Sequence, residues 1–327
     1  MKKFIYHLFL SLIIVEACGY LLSLLNLEPT GFKVYYNTEA FDNSNGYADR
    51  DSLVGVWHKP NDTWVHNAAC FTAEMHSNQY GATDNRWDTS KTGLLFLGSS
   101  FIEGFGMNYG KRVSEKYEEL TGKEVFNCGM AGDFSPVQYY MTLKKFGHIL
   151  KFDTCVVFII LPTDDSLVTT IDESRYRPYL SDKGIEYTRS HSKFPEYKKT
   201  QQKLELFFNQ FCYSFHLYSY FKNRNYLKSR LLLEQPVAQQ DYPQVKRIIN
   251  KICDDFPDKY FYFVFTPTLS QTNLPQNMEK KSNMQIIDIT GSLNNKSDYL
   301  ICNSHWNASG HAKVARALYE AIAKQKK

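Results

Sequence analysis

The stretch Leu94-Leu95-Phe96-Leu97-Gly98-Ser99-Ser100-Phe101-Ile102-Glu103-Gly104-Phe105-Gly106-Met107 sets two adjacent hydroxyls among three glycines. Its first four residues are apolar without a polar break, which suits a short strand buried on both faces. Gly98 ends the run, where a backbone turns sharply or lies close to a ligand. A strand that stops there and presents a hydroxyl places it at the carboxyl edge of a sheet, where open α/β sheets bind ligands. A serine hydroxyl is a weak nucleophile. Acyl transfer through it requires a base to take its proton, an acid or amide to orient that base, and donors aimed at the oxyanion. Two phosphate readings of the stretch fail on a required residue. Gly93 and Gly98 have P-loop spacing, but Ser99 stands where the lysine belongs. Gly104 and Gly106 begin a dinucleotide fingerprint, but position 109 is Tyr. Taken alone, the stretch also reads as a buried strand with a small-residue turn.

The far end of the chain carries the complementary group. Asn303-Ser304-His305-Trp306-Asn307-Ala308-Ser309-Gly310-His311 leads into an amphipathic helix, Ala312 to about Lys324. Together the two ends resemble the SGNH/GDSL hydrolase family, in which a turn after the first strand carries the nucleophile and a His before the last helix is the base. The His305 segment looks like the form found in members linked to bacterial surface polysaccharides. The resemblance covers Leu94 to about Lys324, with an unmatched middle. It implies Ser100 as nucleophile, His305 as base, and the Ser100 and Gly132 N–H groups as oxyanion donors. Several positions depart from the pattern. Ser99 replaces the usual Asp beside the nucleophile. Asp164 stands where the family has an Asn that donates to the oxyanion; ionised, it would repel the developing charge, and it donates only if its pKa is raised. Cys302 and Asn303 fill the places of the acid that precedes the histidine, so Asn303 is the residue left to orient His305. Asp165 and Asp298 are the other carboxylates that would complete the site, and His311 is a second candidate base at the start of the helix.

These groups need a scaffold. The chain of 327 residues is 43% hydrophobic and 22% charged, enough for one large α/β domain with additions. The net charge of +4 is spread along the chain without a basic run, so nothing points to nucleic acid. Phe4 to Leu27 is the one membrane-length apolar segment; as a helix it would span about 36 Å, enough for a bilayer core of roughly 30 Å. Lys2 and Lys3 precede it and Lys33 is the first basic residue after it, which places the N-terminus in the cytoplasm and the rest outside. A cleaved signal peptide is the rival, but the stretch is long for one and lacks a clean small-x-small site. Val15-Glu16-Ala17-Cys18 is a poor echo of a lipoprotein cleavage box. Glu16 near mid-depth is costly and calls for a partner helix or a protonated carboxyl. The seven cysteines show no disulfide framework, and His66, Cys70 and His76 have no recognised metal-ligand spacing.

Residues 29–92 are polar and rich in Asn, Asp and Trp: a flap over the site or a spacer packed on the domain. Within them, Leu53–Asn61 and Asn78–Asp84 look like the short strands that precede the nucleophile strand in polysaccharide-cluster relatives. From 93 onward strands and helices alternate. Val113–Leu120, Gln138–Leu150 and Tyr242–Phe256 read as helices, and Glu124–Asn127, Thr154–Leu161, Tyr260–Thr266 and Met284–Ile289 as strands, with Thr154–Leu161 central. As in the family, the fold expected is a flavodoxin-like three-layer αβα sandwich on a five-stranded parallel sheet, preceded by an N-terminal transmembrane helix. The organisation expected is an anchor at 1–28, an extension at 29–92 and a hydrolase-like domain at 93–327. An insertion at about 166–240 begins as loop and continues as helices at Lys199–Cys212 and Ser214–Leu233, a lid or a packing pair. By resemblance, the protein would remove or transfer an O-acetyl or similar acyl group on a cell-surface glycan outside the cytoplasm, with no metal or other cofactor. Two further readings stay open: a catalytically silent glycan-binding or assembly protein in a membrane complex, and a lipid or thioester hydrolase.

Overall fold

Helix α1 (Lys2–Leu24) opens the chain, and its stretch Lys2–Leu21 is long and apolar enough to cross a membrane or to serve as a signal sequence. Its large side chains face outward: Phe4 is 72% exposed and Phe9 64%, so no protein core covers them. The costly Glu16 has a partner within the same chain. Ser214 donates to it from its backbone N–H at 3.2 Å and again from its hydroxyl, and the rings of Tyr20 and Tyr213 meet edge-on at 5.0 Å. This computed structural model describes residues 2–24, 35–36, 48–68, 71–132, 134–173, 175–189, 213–214, 241–266, 268, 278–294, 297–300 and 304–323. The helices expected at 199–212 and 214–233 lie outside the described residues, apart from Ser214.

The extension folds as short antiparallel strands. β1 (Tyr35–Tyr36) pairs with β4 (Thr63–Ala68), β2 (Ala48–Asp51) with β3 (Gly55–His58), and β4 with β5 (Phe71–His76). Buried Trp57, Trp64 and Trp87 bind this region into the main core. The strand expected at Asn78–Asp84 is a turn instead. The Asn78 side-chain carbonyl accepts the N–H groups of Tyr80 and Ala82, so local side-chain bonding takes the donors that a strand would need.

Five parallel strands follow. β6 (Thr92–Gly98), β7 (Val125–Gly129), β8 (Lys151–Ile159), β11 (Tyr260–Phe265) and β12 (Met284–Asp288) lie in the order β12-β11-β8-β6-β7, with β8 central as the sequence predicts. The hairpin β9 (Pro178–Ser181) and β10 (Gly184–Tyr187) occupies the start of the insertion, where the sequence reads as loop. Its strands are only four residues each, too short to show a period. Alternate residues of the sheet feed two cores. Leu95, Leu97, Cys155, Val157, Phe261 and Phe263 face one side, and Leu94, Phe96, Val156, Phe158, Tyr262 and Val264 face the other. Burial on both faces is why these strands read as unbroken apolar runs.

The connecting helices complete the sandwich. α2 (Ser100–Glu103) and α3 (Val113–Thr121) follow β6; α4 (Pro136–Phe146) follows β7; α5 (Thr163–Thr169) follows β8; α6 (Pro243–Asp255) and α7 (Ala308–Ala323) precede β11 and close the fold. α3 and α7 share the core on one face through Val113, Tyr117, Val314 and Leu318, while α4 and α6 cover the other through Val137, Leu143, Ile248 and Ile252. The register pairs Gly98 with Gly129 and Leu97 with Val157. The turns after β6, β7 and β8 therefore leave the sheet at one carboxyl edge, which brings Ser100, Gly132 and Asp164 to the same rim.

Candidate active site

Ser100 is the first residue of α2, one residue past N-cap Ser99. A Cβ at Gly98 would overlap Ile102 Cγ1, so the glycine lets α2 fold back tightly onto the end of its own strand. The Ser100 hydroxyl oxygen lies 2.6 Å from His305 Nε2 across 205 positions of sequence. His305 reaches this point from a loop closed by an antiparallel bridge between Tyr299 and Trp306, in which Leu300 N–H donates to the His305 carbonyl at 2.8 Å and Asn307 N–H to the Asp298 carbonyl at 3.0 Å. Its ring lies between Phe101, with centroids 4.7 Å apart, and Phe105, 4.6 Å away. Burial pushes the ring down to about 4, against the upward pull of the Glu103 charge. At neutral pH the imidazole is therefore uncharged. With Nε2 unprotonated, it accepts the Ser100 proton as a general base must.

The groups expected around an oxyanion are placed as follows. Gly132 follows β7 with φ +87, a backbone that favours glycine, and among the described residues beyond its chain neighbours nothing lies within 4 Å of where its Cβ would stand. Among the described residues, the N–H groups of Ser100 and Gly132 donate to no other acceptor. Asp164, in the first turn of α5, is 1% exposed. Its Oδ2 accepts the Ile160 N–H at 2.9 Å and the Tyr139 hydroxyl at 3.3 Å. Burial pushes its carboxyl up to about 8, although these two donors and the Arg177 charge all pull the other way. At pH 7 this carboxyl holds its proton, and the charge that would oppose an oxyanion is absent.

The remaining candidates separate. Asn303 lies outside the described residues. Asp165 accepts the N–H groups of Gln244 and Val245 at 2.9 and 2.8 Å and so caps α6. Asp298 binds Lys313 at 2.7 and 2.9 Å and Ser309 at 2.8 Å, tying the His305 loop to α7. His311 Nδ1 accepts the Val113 N–H at 3.1 Å, and burial pushes the ring down to about 3; it joins α7 to α3. The His66 Nε2 lone pair is occupied by the Trp64 indole N–H at 2.7 Å, Cys70 lies outside the described residues, and His76 packs its ring 5.4 Å from Tyr109.

Two charged groups beside the site escape a reading of the sequence. Glu103, three residues after Ser100, is fully buried and meets His58 Nε2 at 2.6 Å, while His58 Nδ1 faces the Gly81 carbonyl at 3.2 Å. Burial alone would raise the Glu103 carboxyl; the bond and charge of His58, then His66 and the Ala131 N–H, outweigh it and hold it below the ordinary carboxylate range. Both His58 nitrogens thus face oxygen atoms. Arg175 donates to the Gly132 carbonyl at 2.9 Å and to Asp172 at 2.8 Å. The Ser-x-x-Glu spacing was visible in the sequence, but its partner His58 lies in the extension and Arg175 in the insertion, where nothing marked either.

No family model matches the chain, and no curated protein matches it in sequence. Solved structures do. One is a member of the lipolytic G-D-S-L protein family from Veillonella parvula, 11% identical, covering 71% of this chain and 98% of that one, with a TM-score of 0.38. Another is a carbohydrate esterase family 2 enzyme with a carbohydrate-binding domain from Corynascus thermopiles (Myceliophthora fergusii), 13% identical, covering 80% and 72%, with a TM-score of 0.39. Members of the G-D-S-L lipolytic family are thus among the solved structures similar to this chain.

Proposed function

We propose that this protein is a serine ester hydrolase or O-acyltransferase that removes or transfers an O-acetyl or similar acyl group on a cell-surface glycan. The observation that carries the reading is the 2.6 Å contact between Ser100 Oγ and His305 Nε2. His305 takes the Ser100 proton as Oγ attacks the acyl carbonyl carbon, and the carbonyl π electrons move to oxygen. The Ser100 and Gly132 N–H groups receive that oxyanion, with the protonated Asp164 carboxyl as a third donor. The tetrahedral intermediate collapses, His305 returns its proton to the leaving sugar oxygen, and an ester remains on Ser100. Water or a second hydroxyl, deprotonated by His305, then takes the acyl group and restores the serine. Asn303 is the residue assigned to orient His305.

The glycan substrate rests on the likeness of the Asn303–His311 segment to polysaccharide-linked members of the SGNH/GDSL family. The apolar helix supports a single-pass anchor, and the lysines before it support a catalytic domain outside the cytoplasm. In this reading residues 29–92 brace the hydrolase-like domain at 93–327, and the insertion at about 166–240 borders its mouth. One observation favours a silent glycan-binding protein instead: a ring pushed down to about 4 is a weak base.

The full chain in detergent, treated with a fluorescent fluorophosphonate, tests the reading. Labelling of wild type that is lost in both Ser100→Ala and His305→Ala is the expected result. A folded wild type that does not label, even after long incubation, overturns the esterase reading in favour of the silent one.

A further inference from the structure

The Gly132 turn is held from a distant part of the chain. Arg175 lies beyond α5, in the polar stretch before the β9–β10 hairpin. Its Nε donates to Asp172 at 2.8 Å and one terminal nitrogen to the Gly132 carbonyl at 2.9 Å. The guanidinium is planar, and Nε and Nη1 donate from different edges of it, so the two bonds fix its plane as well as its position. Its side chain is 14% exposed and that of Asp172 27%, so the pair sits at the margin of the site, screened from bulk solvent. Gly132 itself is exposed, it has φ +87, and among the described residues, its chain neighbours aside, no atom lies within 4 Å of where its Cβ would stand. A glycine in that setting loses more conformational freedom on ordering than any other residue. Its N–H is useful to an oxyanion only if that freedom has been removed beforehand.

We propose that Arg175, fixed by Asp172, is a positioning residue: by holding the Gly132 carbonyl it fixes ψ at that glycine and steadies the turn, so that the N–H of the adjoining Ala131–Gly132 peptide points at the reacting carbonyl oxygen. The proposal rests on the acyl-transfer reading above for its catalytic consequence, though not for the clamp itself. It assigns the insertion a definite task. Arg175, near its start, holds the turn that carries one donor of the oxyanion hole.

The test uses full-length protein in detergent with p-nitrophenyl acetate as the acyl donor. Arg175→Met keeps the stem and removes the fork, and Arg175→Lys keeps the charge. Both are expected to lower kcat on the order of 10²-fold with KM nearly unchanged, as misplacement of a catalytic group does. Added guanidinium should restore part of the kcat of Arg175→Ala and none of that of Ser100→Ala. Amide hydrogen exchange over residues 129–135 is read in the same variants. Faster exchange there, with α3 and α7 unchanged, supports the clamp even if wild type shows no Ser100-dependent turnover, a result that would remove only the esterase reading. Exchange and kcat both equal to wild type would overturn the proposal, as would a uniform loss of protection across the sheet.

Discussion

Replacing Asp164 by Asn separates a donor that works only when protonated from one that always works. Asp164 is buried, its Oδ2 receives the Ile160 N–H and the Tyr139 hydroxyl, and its carboxyl is pushed up to about 8. A group with that value is roughly nine-tenths protonated at pH 7 and roughly one-tenth at pH 9. If the acid form donates to the oxyanion, kcat/KM in wild type falls about tenfold between those pH values. An Asn carbonyl can accept the same two bonds while its NH₂ donates at every pH, so the alkaline fall should vanish in Asp164→Asn. Stability gives a second readout. The folded state keeps this proton up to about 8, whereas the unfolded chain releases it near the ordinary 3.8. Between those values the unfolded state binds fewer protons, so stability declines as pH rises, by about 1.4 kcal/mol per unit. By pH 7 the loss is on the order of 4 kcal/mol. Asp164→Asn should therefore be the more stable protein at pH 7, and its unfolding followed by tryptophan fluorescence at pH 5, 6 and 7 should lack that slope. An alkaline limb that survives the substitution, or a variant less stable than wild type at pH 7 with the same slope, would refute the reasoning.

The acid side of the same profile belongs to His305. Because the ring is pushed down to about 4, turnover should hold from pH 7 to about 5 and fall only as Nε2 gains a proton near 4; a limb centred near the ordinary 6.5 would contradict the burial seen here. His58→Leu leaves Glu103 buried without its Nε2 partner and should cost about 3–5 kcal/mol, read as a lowered Tm, with much of the loss recovered in His58→Leu/Glu103→Leu. Gly132→Ala meets none of the described residues beyond its chain neighbours, so its penalty is the backbone one of about 1–2 kcal/mol, and it should lower kcat more than it lowers Tm, as paired kinetics and melting would show.

The sequence by itself determined the scaffold and the two ends of the site. Runs such as Leu94–Leu97 and Thr154–Leu161 announced strands covered on both faces, because a parallel sheet between two helix layers leaves no polar side to alternate with. Ser100 after a glycine and His305 before the last helix were legible because their roles depend on local features, a turn and a helix start. Short elements were not legible. The β9–β10 hairpin has four-residue strands, and Asn78–Asp84 was decided by the bonds of one amide side chain. Only the tertiary structure decided the electrostatics. Asp164 is a carboxylate in the sequence and a protonated acid in the fold, because burial outweighs its donors and the Arg177 charge. Asp165 and Asp298 were equal candidates until one proved to cap α6 and the other to bind Lys313. His58 and Glu103 are 45 positions apart, and Arg175 and Gly132 are 43 apart. No local spacing encodes such pairs; they exist because the sheet register sends three turns to one edge and the two additions fold back over it.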